Sequence, residues 1–153
     1  MKSMRSEVVQ GGLAMLLSGV CLSAAATLGE DAGSVAVDQA QLQAGLKVSG
    51  TAKFSVHQLQ LSSGTMVKEY VSPAGMVFAV SWQGPSIPDL QQVLGRYFEA
   101  YVDMLKNRGN AGGASATQQS GLVVQSGGHM RAYFGRAYIA PMLPRGVAAE
   151  EIE

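Results

Sequence analysis

A chain of 153 residues, 47% hydrophobic and 14% charged, has the material for one ordinary domain and not for several. Eleven Lys and Arg against eleven Asp and Glu leave no net charge, which removes the electrostatic footprint of a nucleic-acid or anionic-membrane binder. One cysteine and two histidines exclude a disulfide framework and a zinc site built from Cys and His.

Residues 1–26 read as a secretory signal peptide. Lys2 and Arg5 precede an apolar run over 12–22, and Ala24 and Ala26 form an A-x-A arrangement after it. Glu7 departs from the basic start, and an uncleaved N-terminal anchor is the alternative, but the run is shorter than the ~20 residues a membrane-spanning helix needs. Cys21 lies inside the run behind Val20, where a lipoprotein signal would want a small residue. Cleavage near Ala26 is expected to leave a single exported domain, 27–153, without cysteine and without a membrane span. Its charge balance, 9 basic against 10 acidic residues, is close to neutral.

Residues 27–34 look like a loose start, and Ser34 can cap a short helix over 33–46. Three strand-like runs come next, at 54–61, 65–71 and 76–82. Ser63-Gly64 reads as a two-residue hairpin loop. Ser72-Pro73-Ala74-Gly75 reads as a type I turn closed by a left-handed glycine bulge. Together these turns oppose His57 to Tyr70 and Lys68 to Val80. They gather Leu59, Leu61, Met66, Tyr70, Phe78, Val80 and Trp82 on one face, with His57 and Lys68 among them.

A long amphipathic helix over 89–107 is expected to cover that face. Asp89 suits its N-cap, and Leu90, Val93, Leu94, Tyr97, Phe98, Tyr101, Val102 and Leu105 recur at helical spacing. Gly95 inside this helix is costly unless a neighbouring segment approaches closely. The small, polar, glycine-rich stretch 107–121 reads as a flexible loop. A second hairpin is expected with strands at 122–126 and 129–138 around Gly127-Gly128, then a proline-broken tail that closes in a helical turn. The fold class is therefore α+β: an antiparallel meander on one long helix, plus a second hairpin.

Two constellations carry possible chemistry. Alternation from residue 129 places His129, Arg131 and Tyr133 on one strand face, an arrangement able to bind an anion or to supply a base beside a cation. A solvated strand face is the plainer account. The other set is His57 with Tyr70, beside Lys68, where the plainer account is a core histidine and a lysine at the sheet margin. No nucleophile elbow, paired carboxylates or metal-ligand spacing is present, so no catalytic residue, metal or cofactor is expected.

The residues Tyr70-Val71-Ser72-Pro73-Ala74-Gly75, Val77-Phe78-Ala79-Val80, Trp82-Gln83-Gly84-Pro85 and Pro88-Asp89-Leu90 form one distinctive block. Ser126-Gly127-Gly128-His129-Met130-Arg131-Ala132 and Gly135-Arg136-Ala137-Tyr138 form another. Both resemble a bacterial exported family, found in proteobacteria of the Burkholderia type, known as domain of unknown function 2844. The resemblance spans nearly the whole domain and implies an exported bacterial protein with no assigned activity. It supplies no catalytic residue.

The expectation is a periplasmic or secreted accessory module that binds an envelope protein or a small ligand, through His129, Arg131, Tyr133, His57 or Tyr70. The alternatives are a small hydrolase-like enzyme using His129, and a structural envelope protein that self-assembles through a strand edge.

Overall fold

The structure, a computed structural model, describes residues 27–31, 46–107, 115–119 and 121–153. The expected signal peptide, and residues 33–45 of the expected first helix, lie outside the described residues. Leu46, assigned to that helix, instead opens a strand.

Among the described residues seven strands form one antiparallel sheet: β1 (Leu46–Gly50), β2 (Ser55–Gln60), β3 (Met66–Val71), β4 (Val77–Gly84), β5 (Ser115–Gln119), β6 (Leu122–His129) and β7 (Ala132–Ile139). Their order is β1-β2-β3-β4-β7-β6-β5. Two local meanders therefore meet along β4 and β7. β5 lies inside the stretch expected to be a loop. Its polar residues give no alternation signal, and an edge strand needs only main-chain pairing with one neighbour, which β6 supplies.

The expected meander exists, but β3 is turned over relative to both neighbours. His57 opposes Glu69, Leu59 opposes Val67, and Val56 opposes Tyr70. The β2–β3 loop has three residues, not two. Leu61 N–H donates to Thr65 O and Gly64 N–H to Leu61 O, both at 2.9 Å, with Gly64 left-handed at φ 84°. This is a type I turn with a glycine bulge, and the extra residue shifts the register by one. The β3–β4 turn has the expected form: Gly75 N–H donates to Ser72 O at 2.8 Å and Gly75 sits at φ 81°. A second bulge just beyond it, at Phe78, moves Tyr70 opposite Ala79 and Lys68 opposite Ser81.

The slips give the sheet two covered faces. Val67, Val71, Val77, Val80, Trp82, Leu122, Val124, Ala137 and Ile139 pack beneath the helical segment. Tyr70, Phe78 and Ala79 face the other way and pack with Val147 and Ile152 of the tail. A strand buried on both sides cannot keep a polar face, which is why β4 is buried at six successive positions.

The helical segment runs from Leu90 to Asn107 as α1 (Leu90–Leu94), a 3-10 turn (Gly95–Tyr97) and α2 (Phe98–Asn107). Asp89 caps it, its carboxylate accepting from the N–H groups of Gln91 and Gln92. Asp89→Ala should lower stability by about 1 kcal/mol, read as a lower urea midpoint at unchanged slope. An unchanged midpoint would remove the cap from the energetics. The 3-10 turn advances three residues per turn and so rotates α2 about its own axis. Met104 is consequently buried, while Leu105, expected on the covered stripe, is 44% exposed.

Gly95 takes φ 48° and ψ −123°, and a Cβ there would lie 1.8 Å from Thr27 Cγ2. The close approach is made by residues 27–31, which are pinned rather than loose. Leu28 is fully buried, Gly29 N–H donates to Val77 O at 2.8 Å, and Arg96 Nη2 donates to Gly29 O at 2.7 Å.

The tail closes in a 3-10 turn, Ala149–Glu151. It is tied to the sheet by Tyr70, whose hydroxyl donates to Glu153 O at 2.6 Å and accepts from Glu153 N–H at 2.9 Å. Ser81 Oγ donates to the same oxygen at 2.8 Å.

Candidate functional site

The second hairpin turns at Met130-Arg131 rather than at Gly127-Gly128, because β6 continues through both glycines to His129. Arg131 takes the left-handed conformation, φ 65°, that a glycine signal would have announced. His129 and Tyr133 therefore do not share a strand face. His129 opposes Ala132, while Tyr133 opposes Gly128 in the next row. The structure still brings His129, Arg131 and Tyr133 together around a depression of about 400 Å³ at the hairpin tip, beside Gly84 and Pro85. His129 and Arg131 are exposed there. Among the described residues, no hydrogen bond or ion pair orients the His129 ring.

His57 and Tyr70, expected to oppose each other, lie on opposite faces of the sheet. Tyr70 is spent on the tail. His57 stands on the helix-side face beside Glu69 and Val48. Burial lowers its pKa below the usual 6.5. Its buried Nδ1 has no hydrogen-bond partner among the described residues, so an N–H there would be an unsatisfied donor. Between the depressed pKa and 6.5 the unfolded chain binds more protons than the folded one. Stability should therefore rise with pH through that window and be lost on acidification below about 6.5. NMR titration should place the His57 midpoint below 6.5, and His57→Gln should flatten that part of the stability profile. A midpoint at or above 6.5 would contradict the desolvation argument.

The tail-side face carries a second site. The observed register lines up one residue from each of five strands in a row: Gln58, Lys68, Ser81, Arg136 and Gln125. The tail ends beside this row. Beyond it a groove of about 410 Å³ opens over Lys68, Ser81, Arg136 and Gln125, with Met66, Phe134 and Ile152 as apolar walls. Arg136 is held in place: Nε donates to Gln125 Oε1 at 2.7 Å, and Nη1 to the carbonyls of Ala149 at 2.6 Å and Ile152 at 3.0 Å. Lys68 is half-buried and makes no ion pair or hydrogen bond with any described residue. Phe134 is 54% exposed and its ring lies over Gly127, where a Cβ would meet Cζ at 3.0 Å.

This groove can grip a polar or charged group between two cations and cover an apolar one with Phe134. The sequence reading missed it. The two bulges put Gln58, Lys68 and Ser81 in one row, and Arg136 joins it only through the long-range pairing of β4 with β7. Among the described residues no cluster of His, Cys, Asp or Glu could hold a metal, and no helix is long and apolar enough to cross a membrane.

Residues 24–152 match the family described as Protein of unknown function (DUF2844). The chain belongs to the DUF2844 family. No curated protein and no solved structure matches this DUF2844 chain. The match covers the sheet, the helical segment and all but the last residue of the tail, so both the groove and the hairpin tip belong to the family's own region.

Proposed function

We propose that this DUF2844 chain is an exported accessory module of a bacterial envelope, periplasmic or secreted, and that it binds a ligand or a partner segment in the tail-side groove. The observation that carries the binding role is the groove over Lys68 and Arg136, two cations on either side of the buried Ser81 in one row of the sheet. Such concave surfaces, mostly apolar with a few convergent polar groups, are the usual form of a binding site. Export rests on the basic start, the apolar run over 12–22 and the small residues at 23–26.

Two measurements test the proposal. N-terminal sequencing of the mature protein should start near residue 27; an intact start in the envelope fraction would contradict cleavage. A photo-crosslinking amino acid at Phe134 should give a light-dependent adduct in cells that is lost in the Lys68→Ala background. The same probe at Leu105, exposed on the helical side, should give none. Equal adducts at both positions, or none at 134, would remove the groove from function.

A further inference from the structure

The groove's charge and shape narrow what it takes. The charged side chains that line it are Lys68, Arg136 and Glu153, two cations against one acid, and the main-chain oxygen of Glu153 is already held by Tyr70 and Ser81. Arg136 is already oriented by three hydrogen bonds, so it loses little side-chain freedom when an anion arrives. Nη2 has no protein partner among the described residues. Lys68 brings an ammonium with no counter-ion among them, on the strand adjacent to Ser81. Strands lie about 4.8 Å apart, so the two cationic residues spring from backbones about 10 Å apart, close enough to converge on one small anionic head.

The walls are of a different chemistry. Met66 and Phe134 stand in the row next to Lys68 and Arg136, each opposite Gln83. Phe134 leaves an aromatic surface open where the strand opposite offers only Gly127. Charge thus sits at one end of the groove and apolar surface at the other. A volume of about 410 Å³ lies within the ~300–1,000 Å³ range of small-molecule sites.

We infer that the groove is a site for a small amphiphilic organic anion, its acidic head between Lys68 and Arg136 and its apolar body on Met66 and Phe134. This rests on the groove being the binding site proposed above, and adds the ligand class.

The test uses the full domain with 1-anilinonaphthalene-8-sulfonate as fluorescent probe and octanoate, octyl glucoside and inorganic phosphate as competitors. Octanoate should displace the probe at a single site. Octyl glucoside, which has the chain without the charge, and phosphate, which has the charge without the chain, should each be at least tenfold weaker. Lys68→Gln should weaken octanoate at least tenfold, and Lys106→Gln, at an exposed position on α2, should leave it unchanged, with far-UV circular dichroism showing both variants folded. Amide shifts at Lys68, Ser81 and Phe134 on adding octanoate supply a second readout that needs no variant. Displacement by octyl glucoside as strong as by octanoate would keep the groove as a binding site and overturn the anion. Failure of all three competitors while the Phe134 photoadduct still forms would overturn the ligand class and leave a macromolecular partner. Failure of both experiments would remove the groove altogether.

Discussion

Gly135→Ala should destabilise the sheet and shift the emission of the single tryptophan to the red. Gly135 stands on β7 between Trp82 of β4 and Ser126 of β6. A Cβ at this position would lie 2.3 Å from Trp82 Cζ2, 2.5 Å from Cε2 and 2.9 Å from the Gln125 carbonyl. The strand cannot retreat, because both neighbours hold it by main-chain pairing. The indole cannot simply swing aside, because it is only 3% exposed and packs in the core beneath the helical segment. Overpacking of this kind costs about 1–3 kcal/mol, and two fixed obstacles put the cost at the upper end. The measurements are the urea midpoint and the tryptophan spectrum, both of which must move. A variant with native emission and native midpoint would show that the indole does not rest on Gly135.

Phe78→Ala should cost more, about 3–5 kcal/mol, the range for removing a buried phenylalanine. Phe78 is fully buried at the β4 bulge, 6.0 Å from the Phe54 ring and 6.2 Å from the Tyr70 ring, centre to centre. That cluster is what the tail packs on through Val147 and Ile152. Loss of Phe78 should therefore release the tail before the sheet unfolds, giving early protease cuts within 144–153. The comparison is Tyr70→Phe, which removes only the hydroxyl that bridges Glu153 O and N–H. It should loosen the tail while leaving most of the global stability. If Phe78→Ala left the tail as resistant as in the native chain, the two would not be coupled.

The local signals in the sequence were legible and the geometry between them was not. The three runs around β2, β3 and β4, the cap at Asp89 and the turn at Gly75 all appear where propensity and turn chemistry place them. Register is the part that escaped, and it did so at two single residues. Gly64 reads equally well as the second residue of a two-residue loop or as the bulge of a three-residue one. Phe78 bulges with no glycine to announce it, in a strand buried on both faces where alternation carries no information. Each slip turns β3 over against its neighbour, so His57 and Tyr70 part company while Gln58, Lys68 and Ser81 fall into one row, which Arg136 joins through β7.

The second hairpin failed differently. Gly127-Gly128 is a strong turn signal, yet those glycines serve a strand where Phe134 and the β7 backbone come close. The real turn falls on Arg131, a residue with little preference for φ 65°. The groove could not be read before the register, because none of its polar residues is near another in sequence except through the sheet.

The joint between β4 and β7 has a consequence for how the chain reaches this state. Every other pairing in the sheet is closed by a short loop. The partners along the joint, from Gly84 with Tyr133 to Ala79 with Tyr138, are 49 to 59 residues apart in sequence. Contacts of that span demand their loop-closure entropy before they return any burial. The meander of β2, β3 and β4 can form early and alone, but its β4 edge must wait for a distant hairpin to arrive. Folding speed should therefore be set at the joint: Val80→Ala should slow refolding more than it speeds unfolding.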